Sequence, residues 1–565
     1  MKRDVQETVP FQYKKGEEKQ MRKVRWKSWC IALVCSVVMA GCSGQQASPP
    51  TSGDSSQTAA PQETAAEQTL KINMVSEPTT IDPGLAQDLP SMAVARAAFD
   101  GLLRLGTDGE IHEAVAERYD VSPDQLTWTF HLRDSKWSNG DPVTAHDFEY
   151  AWKRVLDPAT GSGYAYQMYY LKNGAKAHSG EVPLDEVGVK ATDDKTLVVT
   201  LENPAPFFPQ LVASVTYFPV NRNVVQANPQ WANEADTYVV NGPFVIKEWE
   251  HKSKIEFAKN ENYWGKDQVK LSAMTFYMIE DANTELNMFQ NGELDWAGSP
   301  LGDLPLDAMQ ALKDSGQLKT QATAGTYWYV FNTEKVPFNN KKIRQALAYA
   351  INRQQIVDNI LMGKGDVALG ILPPSMWFKP EGHFPDGDVE TAKKLLAEGM
   401  QELGISELPD LEILYNTSEV HQRIATVIQD QWRQAFGIEV KLRNVENKVR
   451  NEELEQGNFQ IGRSSWIGDF NDPINFLEVF RDVGGTNDTR WHNETFKQLL
   501  LDSAKEPDKA ARNKLLAEAD AILMEEMPVV PIYYYTYAWV QKDSVKDVVI
   551  DALGFIDFKY ASNAQ

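Results

Sequence analysis

The distribution of cysteine is the feature that most limits how this chain can fold. All three cysteines, Cys30, Cys35 and Cys42, lie within the first 42 of 565 residues. The rest of the chain can therefore form no disulfide, no cysteine-based metal site and no cysteine nucleophile. It must be held together by apolar cores alone. Because a single core stops growing near about 250–300 residues, a chain of this length is expected to divide into lobes.

The N-terminus has the pattern of a targeting segment. Basic residues at positions 22, 23, 25 and 27 precede the apolar run IALVCSVVMA, which leads into the small pair before Cys42. A positive region, a short apolar region and a small-residue cleavage site define a secretory signal, and this run is too short to span a membrane comfortably. Residues 1–41 are predicted to be a signal peptide, with Met21 as an alternative start.

The residues that follow predict a lipid anchor and a tether. Cys42 stands where the thiol of a lipobox is acylated and becomes the new N-terminus; an ordinary signal with a chance cysteine is the alternative reading. Residues 43–68 are rich in Ser, Thr, Pro, Ala and Gln and have no apolar period. Such a segment cannot bury enough surface to offset its chain entropy. Residues 42–68 are therefore predicted to be a lipidated cysteine and a flexible tether.

Charge separates the two parts of the chain. The first 41 residues carry nine Lys and Arg against four Asp and Glu, so the net charge of −23 leaves −28 on the remainder. A body this acidic is a poor partner for nucleic acid or for an anionic membrane surface. We expect no nucleic-acid partner, and membrane contact only through the lipid.

The body of the chain mixes helical and strand patterns throughout. Alternating strand patterns occupy 126–133, 195–202, 253–259, 274–279, 326–332 and 529–540, and helical periods occupy 341–363, 390–404 and 511–527. The clearest unit is 411–445, where a strand, an amphipathic helix closed by Gly437 and a second strand predict a right-handed βαβ crossover. Ligands collect beyond the carboxyl ends of such strands, and the loop there leads into a helix whose second turn carries His421. The amides of that helix N-terminus suit an anion.

Local motifs for catalysis are missing from the sequence. It contains no GxSxG, HExxH, P-loop or EF-hand pattern, and its eight histidines are never paired at metal-ligand spacing. An acidic chain still offers many carboxylate pairs, so a glycosidase is not excluded by residue type. Aromatic residues cluster outside the helices, at 164–170, 327–329 and 533–537. Most are expected to fill the core, and the others to line a cleft for a polar organic ligand.

Several separate blocks of the sequence resemble one family, the peptide/nickel family (family 5) of extracellular solute-binding proteins. The longest block is LTWTFHLRDSKWSNGDPVTAHDFEYAWKRVLDPATGSGYAY at 126–166. Others are VPFNNKKIRQALAYAINR at 336–353, LYNTSEVHQ at 414–422, WIGDFNDPINFLE at 466–478 and MPVVPIYYY at 527–535. The similarity covers nearly the whole mature chain and is greatest to oligopeptide- and dipeptide-binding lipoproteins of ABC importers.

The resemblance implies a fold class and a domain division. The fold would be α/β, with two lobes of the class II periplasmic-binding-protein type closing like a flytrap, and an extra small α+β domain in the N-terminal half. Lobe I would comprise 69–99, 227–325 and 537–565, the extra domain 100–226, and lobe II 326–536.

The resemblance also implies a peptide site. Asp469 matches the carboxylate that pairs with the peptide ammonium, and a buried ion pair specifies a charged terminus because an unpaired charge is costly. Tyr164 matches a hydroxyl at the same end. The backbones of Gln87 and Leu89 on one side, and of Ser465 and Ile467 on the other, would pair with the extended peptide. Trp466, Trp328 and Tyr535 would wall roomy, water-filled side-chain pockets.

At the carboxyl end the sequence departs from the enteric oligopeptide binders. Arg463 and His421 match family groups near the ligand's C-terminus. Leu454, and approximately Leu361, stand where those relatives carry cationic residues. A narrower cargo is therefore expected, namely dipeptides, tripeptides or cell-wall murein peptides.

The function implied is that of a peptide-binding lipoprotein that delivers short peptides to an ABC importer. It would be a monomer on the outer face of the membrane of a Gram-positive type of bacterium, with the permease and ATPase subunits as partners, no cofactor and no metal. A signalling-peptide sensor, a nickel- or haem-chelate binder and an exported hydrolase are the alternatives. Asp469 favours peptide, because a metallophore needs no partner for an ammonium.

Overall fold

The computed structural model describes residues 67–484 and 486–564. The predicted signal peptide, Cys42 and nearly all of the tether lie outside these residues. The strands are β1 (Thr69–Asn73), β2 (Leu103–Leu105), β3 (Ile111–Glu113), β4 (Ala116–Val121), β5 (Thr127–Leu132), β6 (Val189–Asp193), β7 (Thr196–Thr200), β8 (Phe244–Glu250), β9 (Lys254–Lys259), β10 (Ala273–Tyr277), β11 (Trp296–Gly298), β12 (Lys319–Phe331), β13 (Gly365–Val367), β14 (Leu411–Asn416), β15 (Val440–Val445), β16 (Ile461–Ile467), β17 (Val529–Gln541), β18 (Val545–Lys546), β19 (Val549–Ile550), β20 (Ile556–Asp557) and β21 (Ser562–Asn563). The α-helices are α1 (Leu89–Ala98), α2 (Ala145–Leu156), α3 (Gly174–His178), α4 (Phe208–Val212), α5 (Arg222–Ala227), α6 (Ala282–Gln290), α7 (Met309–Asp314), α8 (Lys341–Tyr349), α9 (Arg353–Ile356), α10 (Val389–Leu403), α11 (Glu419–Phe436), α12 (Asn447–Gln456), α13 (Ile474–Leu477), α14 (Glu494–Ser503) and α15 (Lys509–Glu526).

One large mixed sheet contains strands from both the N-terminal and the C-terminal parts of the described chain. Its order is β15-β14-β16-β12-β17-β11-β1-β10-β9-β8, and β13 pairs with β17. Strands β12 to β17 along the chain form one half, and β1 with β8 to β11 form the other. A separate sheet, β4-β5-β7-β6, belongs to the N-terminal part of the chain. The predicted mixture of α and β elements is confirmed.

Two long strands carry the chain from one half of the sheet to the other. β12 and β17 each have 13 residues, and the end of β17 pairs with β11. Their mutual register shifts between Ala322 and Thr326. The predicted lobe boundaries at 326 and 536 fall inside these two strands. The lobe boundaries themselves stay a prediction.

The βαβ unit is confirmed. β14 and β15 are parallel neighbours, α11 connects them, and Gly437 ends the helix at φ 71°. Ile424, Ile428 and Trp432 bury the inner face of α11, and Trp432 Nε1 donates to Leu347 O at 2.8 Å. Burying an apolar stripe of this kind is what stabilises a helix against a sheet.

The helical period over 341–363 is confirmed for most of its length but is interrupted after Tyr349. α8 ends at Tyr349, and a new helix, α9, begins after Asn352, whose side chain accepts from Gln355 N. The next residue, Arg353, is fully buried and donates to the backbone carbonyls of Ala348, Ile351 and Pro531. These hydrogen bonds hold the guanidinium in the core, and the helix is interrupted at this point. The local sequence period does not reveal the interruption.

Candidate functional site

The loop that follows β16 holds a partly buried carboxylate. Tyr166 Oη donates to Asp469 Oδ1 at 3.0 Å, and Asp469 N donates to Asn475 Oδ1 at 3.1 Å. Trp466 Nε1 donates to the same Asn475 oxygen at 2.9 Å. Burial raises the pKa of Asp469, and the hydrogen bonds from Tyr166 and Asn475 oppose that rise. In the described part of the chain, no Lys, Arg or His lies within ion-pair distance of Asp469.

A buried ion pair anchors this loop to the helix layer. Arg512 of α15 donates through Nη1 and Nη2 to both carboxylate oxygens of Asp472, each at 2.7 Å. Both side chains are buried. A bidentate guanidinium–carboxylate pair fixes orientation as well as position. The position of Asp469 is thus set by a rigid neighbour three residues away.

Two tyrosines lie near Asp469. The hydrogen bond to Asp469 comes from Tyr166, whose ring lies 5.8 Å from that of Tyr164, and the predicted role of Tyr164 in binding the ligand's amine stays a prediction. The nearby negative charge of Asp469 adds to burial in raising the pKa of Tyr164, so the two groups are neighbours. The repeated tyrosines of 164–170 were the sequence signal; which ring reaches Asp469 depends on the turn between them.

Gln87 and Leu89 lie beside this tyrosine pair. Leu89 opens α1, and the amide of Gln87 packs against Gly163, where a Cβ would come within 2.1 Å of its nitrogen. Neither residue makes a hydrogen bond to Asp469 in the described structure. Both lie at the N-terminal end of α1, outside the strands of the sheet.

β16 presents an open edge to this cleft. β12 pairs with all of β16, but β14 pairs only with Ile461 and Gly462. Gly468 N donates to Ala324 O, so the backbone groups of the even-numbered residues at this end point toward β12. Because the direction of the backbone groups alternates along a strand, the N–H and C=O groups of the odd-numbered residues Arg463, Ser465 and Ile467 point away from β12. Ser465 and Ile467, both predicted to pair with a peptide, therefore face the open edge. The side chain of Ile467 is 60% exposed.

A second cluster lies near the start of β16. Arg463 is 8% exposed, donates through Nη2 to Tyr535 Oη at 3.2 Å and lies 4.6 Å above the Tyr327 ring. His421 Nδ1 is 3.5 Å from Tyr327 Oη. Burial, together with the positive charges of Arg463 and Arg450, lowers the pKa of His421 to about 4. His421 is therefore neutral at pH 7. The structure brings Arg463 and His421, both predicted near the ligand's C-terminus, to one cluster around Tyr327, and it adds Tyr535, which was predicted as a pocket wall.

Trp328 and Trp466 wall a cavity on the other face of the strand. It has a volume of about 410 Å³, and its lining includes Ser464, Ser465, Phe480 and Arg450. Leu454 also reaches this cavity but is 2% exposed and packs against Gly462, so it is a core residue. A larger cavity of about 790 Å³ extends from Trp466 and Asp469 along a largely aromatic wall.

Sequence reasoning missed Asn475, Tyr327 and Arg450. Asn475 lies inside the quoted block WIGDFNDPINFLE, and Tyr327 lies in the YWY run. Arg450 carried no local signal. Within the described residues no group of three or more His, Cys, Asp or Glu could hold a metal ion. No described helix has the length and apolar character needed to cross a bilayer.

A sheet in two halves, linked by two long strands and carrying a cleft with a carboxylate, an open strand edge and aromatic walls, is the architecture of a two-lobed solute-binding protein. The chain belongs to the family described as bacterial extracellular solute-binding proteins, family 5 Middle, which matches residues 110–488. The predicted family is confirmed.

Individual relatives agree with this placement. The oligopeptide-binding protein OppA of Bacillus subtilis (strain 168) is 46% identical over 548 residues, 95% of this chain and 99% of that protein. The unliganded open form of the periplasmic murein tripeptide-binding protein MppA superposes with a TM-score of 0.81 at 31% identity, covering 88% of this chain and 98% of that one. Listeria monocytogenes OppA bound to peptide gives 0.64 at 30% identity, covering 89% and 100%. The predicted two-lobed fold class is confirmed, and the conformation superposes better on the open form than on the peptide-bound one.

Proposed function

We propose that this protein captures short peptides by their free ammonium group and backbone and delivers them to an ABC importer. The observation that carries the proposal is Asp469, a partly buried carboxylate held by neutral donors at the end of an open strand edge. A peptide supplies both missing partners: an ammonium for the charge and a strand for the edge. Main-chain pairing gives affinity without reading side chains, which suits a binder of varied peptides.

The protein acts without catalysis in this proposal. Closure of the two halves around the ligand buries it, and the closed form is what the permease and its ATPase recognise. A lipid on Cys42 keeps the protein, as a monomer, at the outer face of the membrane. The similarity to solute-binding proteins and the absence of a local catalytic motif in the sequence support this part.

The test is calorimetry with free and N-acetylated tripeptides of the same sequence, together with mass spectrometry of ligands that co-purify. Acetylation removes the ammonium charge and is expected to weaken binding by about 2–5 kcal/mol, because one partner of a buried charge pair is lost. Equal affinity for both forms would remove Asp469 from its proposed role. Cleavage products after incubation with peptide would favour the hydrolase alternative.

A murein peptide is the second candidate cargo. The similarity to the periplasmic murein peptide-binding protein MppA of Escherichia coli (strain K12), 34% identical over 487 residues, supports it. Murein peptides also present a free ammonium, so they compete for the same end of the site. Titration with a murein tripeptide and with trialanine separates the two, since an ordinary peptide transporter binds trialanine at least as well.

A further inference from the structure

β12 changes its neighbour at Ala324. Gly468 N, directly after β16, donates to Ala324 O. Ala324 N donates instead to Ala552 O, which lies in the turn of the hairpin formed by β19 and β20. Gln321 extends this contact, since its Nε2 donates to Ile550 O at 2.9 Å. The edge of β12 therefore passes from β16 to the turn of this hairpin.

The turn of the hairpin sets the point at which β16 leaves the sheet. Opposite residues of a regular antiparallel pair exchange two hydrogen bonds, so Gly468 O would accept from Ala324 N. Ala552 O takes that bond instead, and the chain departs from β12 after Gly468. Asp469 is the next residue. The turn and the loop that carries Asp469 face one cavity of about 580 Å³, whose lining includes Asp469 and residues 547–553.

Asp551 holds the turn in shape. Its Oδ1 accepts from Phe555 N at 2.8 Å, its backbone N donates to Phe555 O at 3.0 Å, and its backbone O accepts from Gly554 N at 3.0 Å. Gly554 has a φ of 90°, and a Cβ at this position would lie 2.0 Å from Tyr537 Oη. The turn is therefore closed by its own hydrogen bonds and packed tightly against β17.

Two ion pairs hold the hairpin against the N-terminal part of the chain. Arg96 Nη2 of α1 donates to Asp551 Oδ2 at 3.0 Å, and its guanidinium lies 5.0 Å above the Phe555 ring. Burial raises the pKa of Asp551, and the charge of Arg96 opposes that rise. At the base of the hairpin, Arg104 donates to both carboxylate oxygens of Asp557, at 2.7 and 2.8 Å. A bidentate pair of this kind fixes orientation as well as position.

We propose that Asp551 is a positioning residue for the ligand's amine, because it holds the turn that ends β16 and so fixes where Asp469 lies. This inference rests on the proposed function and adds to it a residue that does not touch the ligand. The pair of Asp472 with Arg512 holds the loop on one side of Asp469, and the turn holds it on the other, at Gly468. The attraction between a carboxylate and an ammonium falls with their separation, and it does so most where water is excluded. A displaced turn therefore weakens the contact with the amine and leaves contacts further along the peptide in place.

The experiment is calorimetry with trialanine and N-acetyl-trialanine on the full protein and three variants. The wild type is expected to bind the acetylated peptide about 30-fold or more less tightly. Asp551→Asn keeps the size of the side chain and removes the charge that pairs with Arg96. It is expected to bind trialanine about tenfold less tightly and N-acetyl-trialanine within about twofold of the wild type. The penalty for acetylation therefore falls in this variant.

Gln321→Leu is a milder second variant. It removes the hydrogen bond to Ile550 O and leaves both ion pairs of the hairpin intact. It is expected to weaken trialanine binding by about threefold and to leave N-acetyl-trialanine binding unchanged. This variant decides the question by itself if Asp551→Asn does not fold.

Asp386→Asn is the matched control, because it also breaks an ion pair with a buried arginine, Arg353. It is expected to lower the free energy of unfolding in urea and to keep the wild-type acetylation penalty. If Asp551→Asn and Gln321→Leu keep that penalty, or weaken both peptides by the same factor, Asp551 has only a structural role. The inference is then overturned and the proposed function stands. A wild type that binds both peptides equally overturns the proposed role of Asp469, and this inference with it.

Discussion

At the proposed amine end of the site one carboxylate, Asp469, is held by uncharged donors, whereas at the proposed carboxyl end two guanidiniums, Arg450 and Arg463, lie near a neutral histidine, His421. The amine end sits in a loop that a buried ion pair fixes in place. The carboxyl end is assembled from three elements, α11, α12 and β16. The first end therefore carries one negative charge in a loop held by an ion pair, whereas the second end carries two positive charges close together.

Under the proposed function, this difference divides recognition along the ligand. A lone carboxylate in a loop held by an ion pair would select an ammonium at one place, whereas a cluster of cations would accept an anion over a wider volume.

The largest expected effect tests the rigidity of the amine end. Arg512→Met leaves Asp472 as an unpaired buried carboxylate, so it is expected to lower the free energy of unfolding by about 3–5 kcal/mol. Urea unfolding of the variant and wild type measures the loss. Arg512→Met combined with Asp472→Leu removes both charges and should recover much of it. A single variant as stable as the wild type would contradict the anchoring role of the pair.

Asp469→Asn tests the charge itself. The variant keeps the shape and loses the anion, and we expect tripeptide affinity to fall by about 2–5 kcal/mol while stability changes little. Calorimetry with trialanine gives the affinity. Asp185→Asn, at an almost fully exposed side chain, is the matched control. Retained affinity in Asp469→Asn would show that the ammonium is bound elsewhere.

His421 gives the carboxyl end a pH dependence. Its pKa is about 4 in the folded protein and near 6.5 in the unfolded chain, so the unfolded chain binds more protons between these values. Stability is therefore expected to fall as pH drops from 7 to 5, by about 1 kcal/mol after allowance for partial solvation of the ring. His421→Asn should lack this part of the loss in urea unfolding at the two pH values. His492→Asn, at an exposed ring, should behave as the wild type does, and equal slopes in all three proteins would disprove the assignment.

The smallest effect decides between two tyrosines at the amine end. Tyr166→Phe removes the hydrogen bond to Asp469 and should weaken tripeptide binding by about 0.5–1 kcal/mol, since this ring is partly exposed. Tyr164→Phe should cost less, because its hydroxyl makes no hydrogen bond to Asp469 in the described structure. Calorimetry of the two variants side by side measures the difference. The reverse order would favour Tyr164 as the tyrosine that helps bind the amine.

Much of the fold could be predicted because local pattern and tertiary environment agree. The alternating runs at 126–133 and 253–259 became β5 and β9, and the βαβ unit at 411–445 formed as expected. β12 extends seven residues before its predicted start at 326, since that half pairs with β17 although its sequence does not alternate. The break at Arg353 likewise depends on carbonyl groups that only the folded chain brings together.

Site residues were predictable only where a motif carried them. Asp469 and His421 lie in blocks shared with the family, Arg463 was assigned by the same resemblance, and the structure brings Arg463 and His421 together. Arg450 has no such block. Its contact with Arg463 O depends on where α12 meets the edge of β16, a strand that begins after the helix has ended, and no local spacing encodes that meeting. Roles of the individual site residues in binding stay predictions.

The register shift between β12 and β17 lies next to the ligand loop, since Gly468 N bonds to Ala324 O inside the shifted segment. If the two halves rotate there, Asp469 lies close to the axis of rotation. A residue near such an axis moves little, while residues at the rim of the cleft move much farther. A peptide would then find its ammonium partner in nearly the same place whether the cleft is open or shut, and the remaining contacts would arrive as the rim swings in.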